Sequence, residues 1–308
     1  MNFYKLIILS LIIFLINQAS QAQIKIKYKI GEEIITNIDI INERQYLIFL
    51  RPELKNLSNN EMLEISKNSL IREIIKKKEI NKLFKDVNNP ILVKEIKKKL
   101  FKFKNVKNEN ELLELVSSLN IEYADIIEKM KYEAFWNELI FQKYNSFIKI
   151  DEEKLKLELI EKISSNKKYE YNLSELLFEV DKNEKLEKKY KEILNYIKLN
   201  NFKTAASKYS ISSNSKTGGE IGWVKETLLS KDLNAIIKNI KIGDLSFPIK
   251  YPNGYLILKV NDKKEMKQVI NIDEELKEII NFERNKQLNQ FSLLFYKKLK
   301  QNSIINEY

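Results

Sequence analysis

The stretch Ser215–Glu226, "SKTGGEIGWVKE", holds three of the six glycines in a chain of 308 residues, and Gly243 and Gly254 follow it. Pro248 and Pro252, two of only four prolines, fall in the same region. Gly and Pro are scarce everywhere else, which predicts long uninterrupted helices there. The paired glycines Gly218 and Gly219 permit positive φ where a loop folds over to begin a strand. Gly222 is expected to let the backbone pass Trp223 closely. No Lys-Ser/Thr follows at P-loop spacing and no dinucleotide fingerprint surrounds these residues, so they form no phosphate cradle.

Outward from this stretch, "YEYNLSELLFEV" before it alternates as a strand does, and "KNEKLEKKYKEILNYIKLN" and "FKTAASKYS" read as helices. After it come a helix at "LLSKDLNAIIKNI" and strands at "GDLSFPI" and "GYLILKVND". A polar run, Ser164 to Lys168, separates this α+β segment from what precedes it. There "IKIKYKI" has strand alternation, Gly31-Glu32 makes a turn, and Thr36 to Asp39 has capping-box spacing with Asp replacing the usual Glu. Ser58 to Glu61 is a second capping box, Pro90 occupies a first helical position, and Asn108 can cap the helix after it. "IEYADIIEKMKYEAFWNELIFQKYNSF" is a long amphipathic helix whose Phe135, Trp136, Leu139, Ile140 and Phe141 are expected in the core. Residues 37 to about 164 thus read as nearly all helix. The chain ends in another long helix carrying Phe282, Leu288, Phe291, Leu294, Phe295 and Leu299, an apolar set that requires a partner.

Composition narrows the function classes. The net charge is +11, but the basic residues are spread at helical spacing among Ile, Leu and Glu, which reads as solvated helix faces and not as a nucleic-acid footprint. The chain has no Cys and no His, so a thiol nucleophile, a Cys/His zinc site, a Ser-His triad and an imidazole acid–base are all excluded. At the N-terminus Lys5 precedes a short apolar run, Leu6 to Ile16, and Ser20-Gln21-Ala22 resembles a signal-peptidase exit. The run is short for a membrane span. Cleavage after Ala22 is expected, with a retained membrane anchor as the alternative.

The segment 168–264 resembles the parvulin-type peptidyl-prolyl isomerase domain through "NLSELL", "FKTAASKYS", Gly218 to Trp223, Gly243 to Ile249 and Gly254 to Val260, in that order and at compatible spacing. The flanks resemble SurA-like proteins: "IKYKIGEEIITNIDI" is similar to the strand and turn opening that family's N-terminal module, and the last helix is similar to its terminal helix. This resemblance implies an α+β fold, with a helical N-terminal chaperone module completed by the C-terminal helix and a parvulin-like domain with a small antiparallel sheet. It divides the chain into a signal peptide (1–22), the helical module (23–164), the parvulin-like domain (168–264) and the terminal helix (270–308) packing on the helical module. Family members often carry two parvulin domains, whereas one is legible here.

In active parvulins two His and an Asp or Cys surround the bound prolyl bond. By the resemblance, Glu175 stands at the first His position, Leu256 at the second and Ser212 at the Asp/Cys position. Leu229 and Leu233 match the apolar substrate-binding positions, with Tyr255 nearby. The expected function is a periplasmic chaperone with an inactive parvulin domain, against the alternatives of an active isomerase and a membrane-anchored foldase. The partners the resemblance implies are unfolded outer-membrane protein precursors, with the outer-membrane assembly machinery as a further candidate, and neither cofactor, metal nor nucleic acid.

Overall fold

The computed structural model describes residues 23–87, 89–163, 168–181, 183–266 and 271–308. The expected signal peptide, residues 1–22, lies outside them, as does most of the polar run 164–168. Strand β1 (Ile26–Ile30) turns at Gly31-Glu32 into β2 (Glu33–Thr36), which leads directly into helix α1 (Asn37–Leu50). Both capping boxes form. The Asp39 carboxylate accepts from the Thr36 N–H at 2.7 Å, so Asp does serve in place of Glu. Ser58 and Glu61 start α2 (Asn59–Leu83) in the same way. Asn89 Oδ1 accepts from Leu92 N at 3.1 Å and Pro90 opens α3 (Pro90–Lys104). α4 (Glu109–Ser118), α5 (Tyr123–Tyr144) and α6 (Glu152–Ile163) follow.

Apolar residues at helical spacing bury Tyr46 and Phe49 of α1 against Ile96 and Leu100 of α3 and Leu112 and Val116 of α4. On α5, Trp136, Leu139 and Ile140 are buried as expected, but Phe141 is 41% exposed. Next to Ile140 on a helix, it turns about 100° away from the buried stripe.

The second half is built on a four-stranded antiparallel sheet of order β4-β3-β6-β5, with β3 Tyr169–Phe178, β4 Glu220–Lys225, β5 Ile249–Tyr251 and β6 Gly254–Glu265. Helices α7 (Leu186–Leu199) and α8 (Phe202–Tyr209) connect β3 to β4, and α9 (Lys231–Lys238) precedes β5. The strand expected at "GDLSFPI" is not formed as such. Leu245 makes an isolated bridge to Lys259, Ser246 exchanges backbone and side-chain bonds with Leu258, and the strand begins only at Ile249. Pro248 has no N–H to give, which interrupts the ladder there.

The last helix, α10 (Ile272–Gln301), is about 45 Å long at 1.5 Å per residue and runs along both halves. Its first turns meet the sheet half, where buried Glu275 accepts from Thr227 Oγ1 and pairs with Lys225 at 3.0 Å. Its later turns meet α5. The Phe295 ring stacks on Trp136 at 5.6 Å, Phe291 stacks on Tyr144 at 4.8 Å, and Trp136 Nε1 donates to Ser292 Oγ at 2.8 Å. The apolar set expected to serve the helical part is therefore divided. Leu288, Phe295 and Leu299 pack toward α5, Phe282 packs on the sheet half, and Leu294 is 50% exposed. A further strand, β7 (Ile305–Glu307), follows the helix and pairs antiparallel with β1, giving the order β2-β1-β7. Three residues are too few to leave a period in the sequence.

Candidate functional site

Strand alternation divides the four-stranded sheet into two faces. Tyr171, Leu173 and Leu177 of β3 and Leu256, Leu258 and Val260 of β6 share one core with Val224, Leu229 and Ile237. Leu176, Phe178 and Ile257 look the other way, onto α7 and α8. The first face opens into a cavity of about 200 Å³, lined at the sheet by Leu173, Glu175, Leu177, Leu256 and Leu258. Leu229 and Leu233, from the loop before α9 and its first turn, form another side, and Ser212 and Asn214 form the rim.

The rim is fixed by β3 itself. Ile211 N donates to Leu177 O at 2.8 Å, and Leu177 N donates to Ser210 Oγ at 3.1 Å. Asn214 Nδ2 donates to Glu175 Oε1 at 3.1 Å. The glycine pair then crosses the back of Glu175, whose N–H donates to Gly219 O at 2.7 Å. Gly219 has φ +76°, and a Cβ there would stand 2.0 Å from Glu175 O, so both the conformation and the close approach require glycine. Gly222 has a φ of +90°, which suits glycine, and a Cβ there would meet nothing within 4 Å apart from its own chain neighbours.

Five of the six site residues expected from the sequence converge on this cavity: Glu175, Ser212, Leu229, Leu233 and Leu256. Tyr255 does not. One residue from Leu256 on a strand, it faces the opposite side, with its ring 6.0 Å from that of Phe178. Tyr251 of β5 lines the cavity instead.

The remaining wall comes from α10. Phe282, Asn285, Lys286, Asn289, Gln290 and Leu293 line the cavity, so it lies between the sheet and the terminal helix. Phe282 and Leu293 are eleven residues apart, which places them on one helix face. That spacing is visible in the sequence, but the surface it packs on is not.

The sheet side of the site is apolar around one carboxyl, while the α10 wall adds the polar side chains of Asn285, Lys286, Asn289 and Gln290. Burial pushes the Glu175 carboxyl above its ordinary range, against hydrogen bonds from Ser212 and Asn214 that pull it down. When ionised it can only accept hydrogen bonds, and when protonated it can donate one. Leu256 can do neither. Among the described residues no cluster of Asp and Glu is placed to hold a metal ion.

Residues 173–262 match the PPIC-type PPIASE domain family, also called Rotamase. That segment is thus a parvulin-type domain by sequence and by the sheet it builds. More particularly, the chain is similar to the SurA chaperones and the PrsA foldases. It is 24% identical over 168 residues to Chaperone SurA of Pseudomonas aeruginosa, covering 52% of this chain and 40% of that protein. It is 29% identical over 230 residues to Foldase protein PrsA of Geobacillus kaustophilus, covering 74% and 73%. Among solved structures, one of the SurA-like chaperones PEB4 and Cj1289 of Campylobacter jejuni aligns over 92% of this chain and 98% of its own, at 16% identity and a TM-score of 0.37. The chain spans well under half the length of the SurA proteins it matches.

Proposed function

We propose that this protein is a periplasmic chaperone that holds unfolded outer-membrane protein precursors, and that its parvulin-type domain binds chain segments without isomerising them. In this reading residues 1–22 are a cleaved signal peptide, 23–164 with 270–308 form the chaperone module, and 168–264 the parvulin domain. The observation that carries it is the cavity: an apolar site kept in shape, with an alkyl chain at 256 and a single carboxyl at 175 as its central groups. Rotation about an X–Pro bond has a barrier of roughly 20 kcal/mol. Lowering it needs polar groups directed at the twisted amide. Holding a chain needs only apolar and main-chain partners. A second apolar hollow, about 310 Å³ between α1 and α2, supports the holding function. Ile40 and Met62 are buried in it, while Ile41 and Leu63 lie exposed at 48% and 41%. Exposed apolar groups gathered around a hollow suit unfolded chains.

One observation favours the alternative of an active isomerase. Burial raises the Glu175 carboxyl, and a protonated Glu175 could donate to a twisted amide. The two readings separate in one pair of assays. The purified protein should suppress aggregation of a denatured outer-membrane barrel protein and leave cis/trans relaxation of a proline tetrapeptide at its uncatalysed rate. Ile41→Glu with Leu63→Glu should weaken the suppression, and Glu175→Ala should not. Acceleration of the tetrapeptide that Glu175→Ala abolishes would establish the isomerase instead. Unchanged aggregation at a molar excess of protein would end the chaperone reading.

A further inference from the structure

A second cavity, of about 230 Å³, lies where α2, the parvulin-type domain and α10 meet. Its lining carries Arg72 from α2, Lys208 from α8, and Lys297 and Lys300 from α10, against one carboxylate, Glu179. That carboxylate is taken by Lys297, and Lys208 reaches Glu61 at 3.4 Å. Among the described residues neither Arg72 nor Lys300 forms an ion pair. Arg72 instead donates from Nη1 to Ser215 Oγ at 3.2 Å and lies 5.6 Å from the Tyr296 ring centre.

Two donors here are left over. Arg72 Nε and Asn253 Nδ2, the latter on the turn between β5 and β6, are buried without a hydrogen-bond partner among the described residues. Buried donors of this kind normally meet an acceptor, so each calls for one. Burial and the nearby Arg72 hold the Lys300 ammonium below its ordinary range, with Glu179 opposing them only in part. The cavity has room for a tetrahedral oxyanion with accompanying water, since liquid water takes about 30 Å³ per molecule.

We propose that this cavity binds a small multivalent oxyanion, phosphate or an organic polycarboxylate, bridging Arg72 and Lys300 and accepting from Asn253 Nδ2. Charge-assisted bonds from a guanidinium and an ammonium are the strong kind of contact for such an anion. Because the lining comes from three separate segments, the ion binds only while they are docked together. It therefore stabilises the docked arrangement by mass action and acts as a clasp at the junction.

The test is calorimetric titration of the full chain with sodium phosphate and, separately, with citrate, at ionic strength matched by sodium chloride. Saturable binding of one of them is expected, and the tighter of the two identifies the source of the oxyanion. Lys300→Glu and Asn253→Asp should each weaken binding by about tenfold or more, the scale of one lost charged hydrogen bond. Lys277→Glu, an exposed position on the same helix outside the cavity, makes the same change in net charge and should leave binding intact. Absence of saturable heat with both anions overturns the proposal. Equal weakening by Lys277→Glu and Lys300→Glu overturns it as well, because the effect would then be one of net charge alone.

Discussion

Replacing Phe295 by Ala tests whether the terminal helix is an integral part of the helical half. Phe295 is 8% exposed and stacks on Trp136, itself 1% exposed, within a core that also includes Leu139 and Ile140 of α5 and Ile80 of α2. Removing a buried Phe ring costs about 3–5 kcal/mol, the aromatic pairing included. For a unit of this size that lowers the melting temperature by roughly 6–20 °C. The chain reports on itself, because its two tryptophans lie in different halves. Trp136 is buried in α5 beneath α10, and Trp223 is on β4, 43% exposed. In a Trp223→Phe background the emission of Trp136 follows the helical half, and in a Trp136→Phe background that of Trp223 follows the parvulin-type domain. Phe295→Ala should lower the Trp136 midpoint by the full amount, red-shift its emission, and move the Trp223 midpoint much less. The remaining coupling comes through bonds that Phe295→Ala leaves in place, among them Glu275 with Lys225 and Thr227, Lys216 with Glu133 at 3.1 Å and Arg51 with Lys203 O at 3.1 Å. A loss under about 1 kcal/mol at Trp136, below the usual range for a buried Phe, would refute the reasoning. Equal displacement of both midpoints would show that the chain unfolds as one unit.

The glycine stretch offers a paired comparison read at Trp223. Gly219→Ala, with its Cβ driven onto Glu175 O, should destabilise the parvulin-type domain strongly, whereas Gly222→Ala meets open space and should cost only the roughly 1–2 kcal/mol of left-handed backbone. Similar melting temperatures for the two variants would contradict the packing described for Gly219. Glu175 should give the domain a pH signature. Its carboxyl is raised by burial, so the folded state holds the proton more tightly than the unfolded chain, whose ordinary value is about 4.3. The stabilisation this contributes is complete below that value and is lost as pH rises through the folded one. Wild type should therefore lose stability relative to Glu175→Gln as pH rises above about 4, and a difference that runs the other way would mean that the hydrogen bonds from Ser212 and Asn214 outweigh burial.

Much of the fold is written locally. Thr36 with Asp39, and Ser58 with Glu61, set helix starts through bonds spanning three residues, and the positive φ of Gly218 and Gly219 sets a turn. Such terms depend only on near neighbours, so the order of elements is readable along the chain. The positions of Glu175, Ser212, Leu229, Leu233 and Leu256 in one cavity also followed from the motifs, which place Glu175 and Leu256 on strands and the other three on the loops and helix that connect them. Tyr255 shows where that reasoning stops: adjacency to Leu256 in sequence becomes opposition across a sheet.

What tertiary structure alone decided concerns the partners of each face. A periodic apolar stripe states that a surface must be covered and leaves open by what, because burial of apolar area has no direction. Helix α10 illustrates it, since Phe295 goes to α5 while Phe282 and Leu293 close the parvulin cavity. The pairing of β7 with β1 and the meeting of Arg72, Asn253 and Lys300 at one junction join residues that are far apart along the chain. No local term encodes those meetings. They arise because one long helix has to satisfy two cores at once, and its place is set by both.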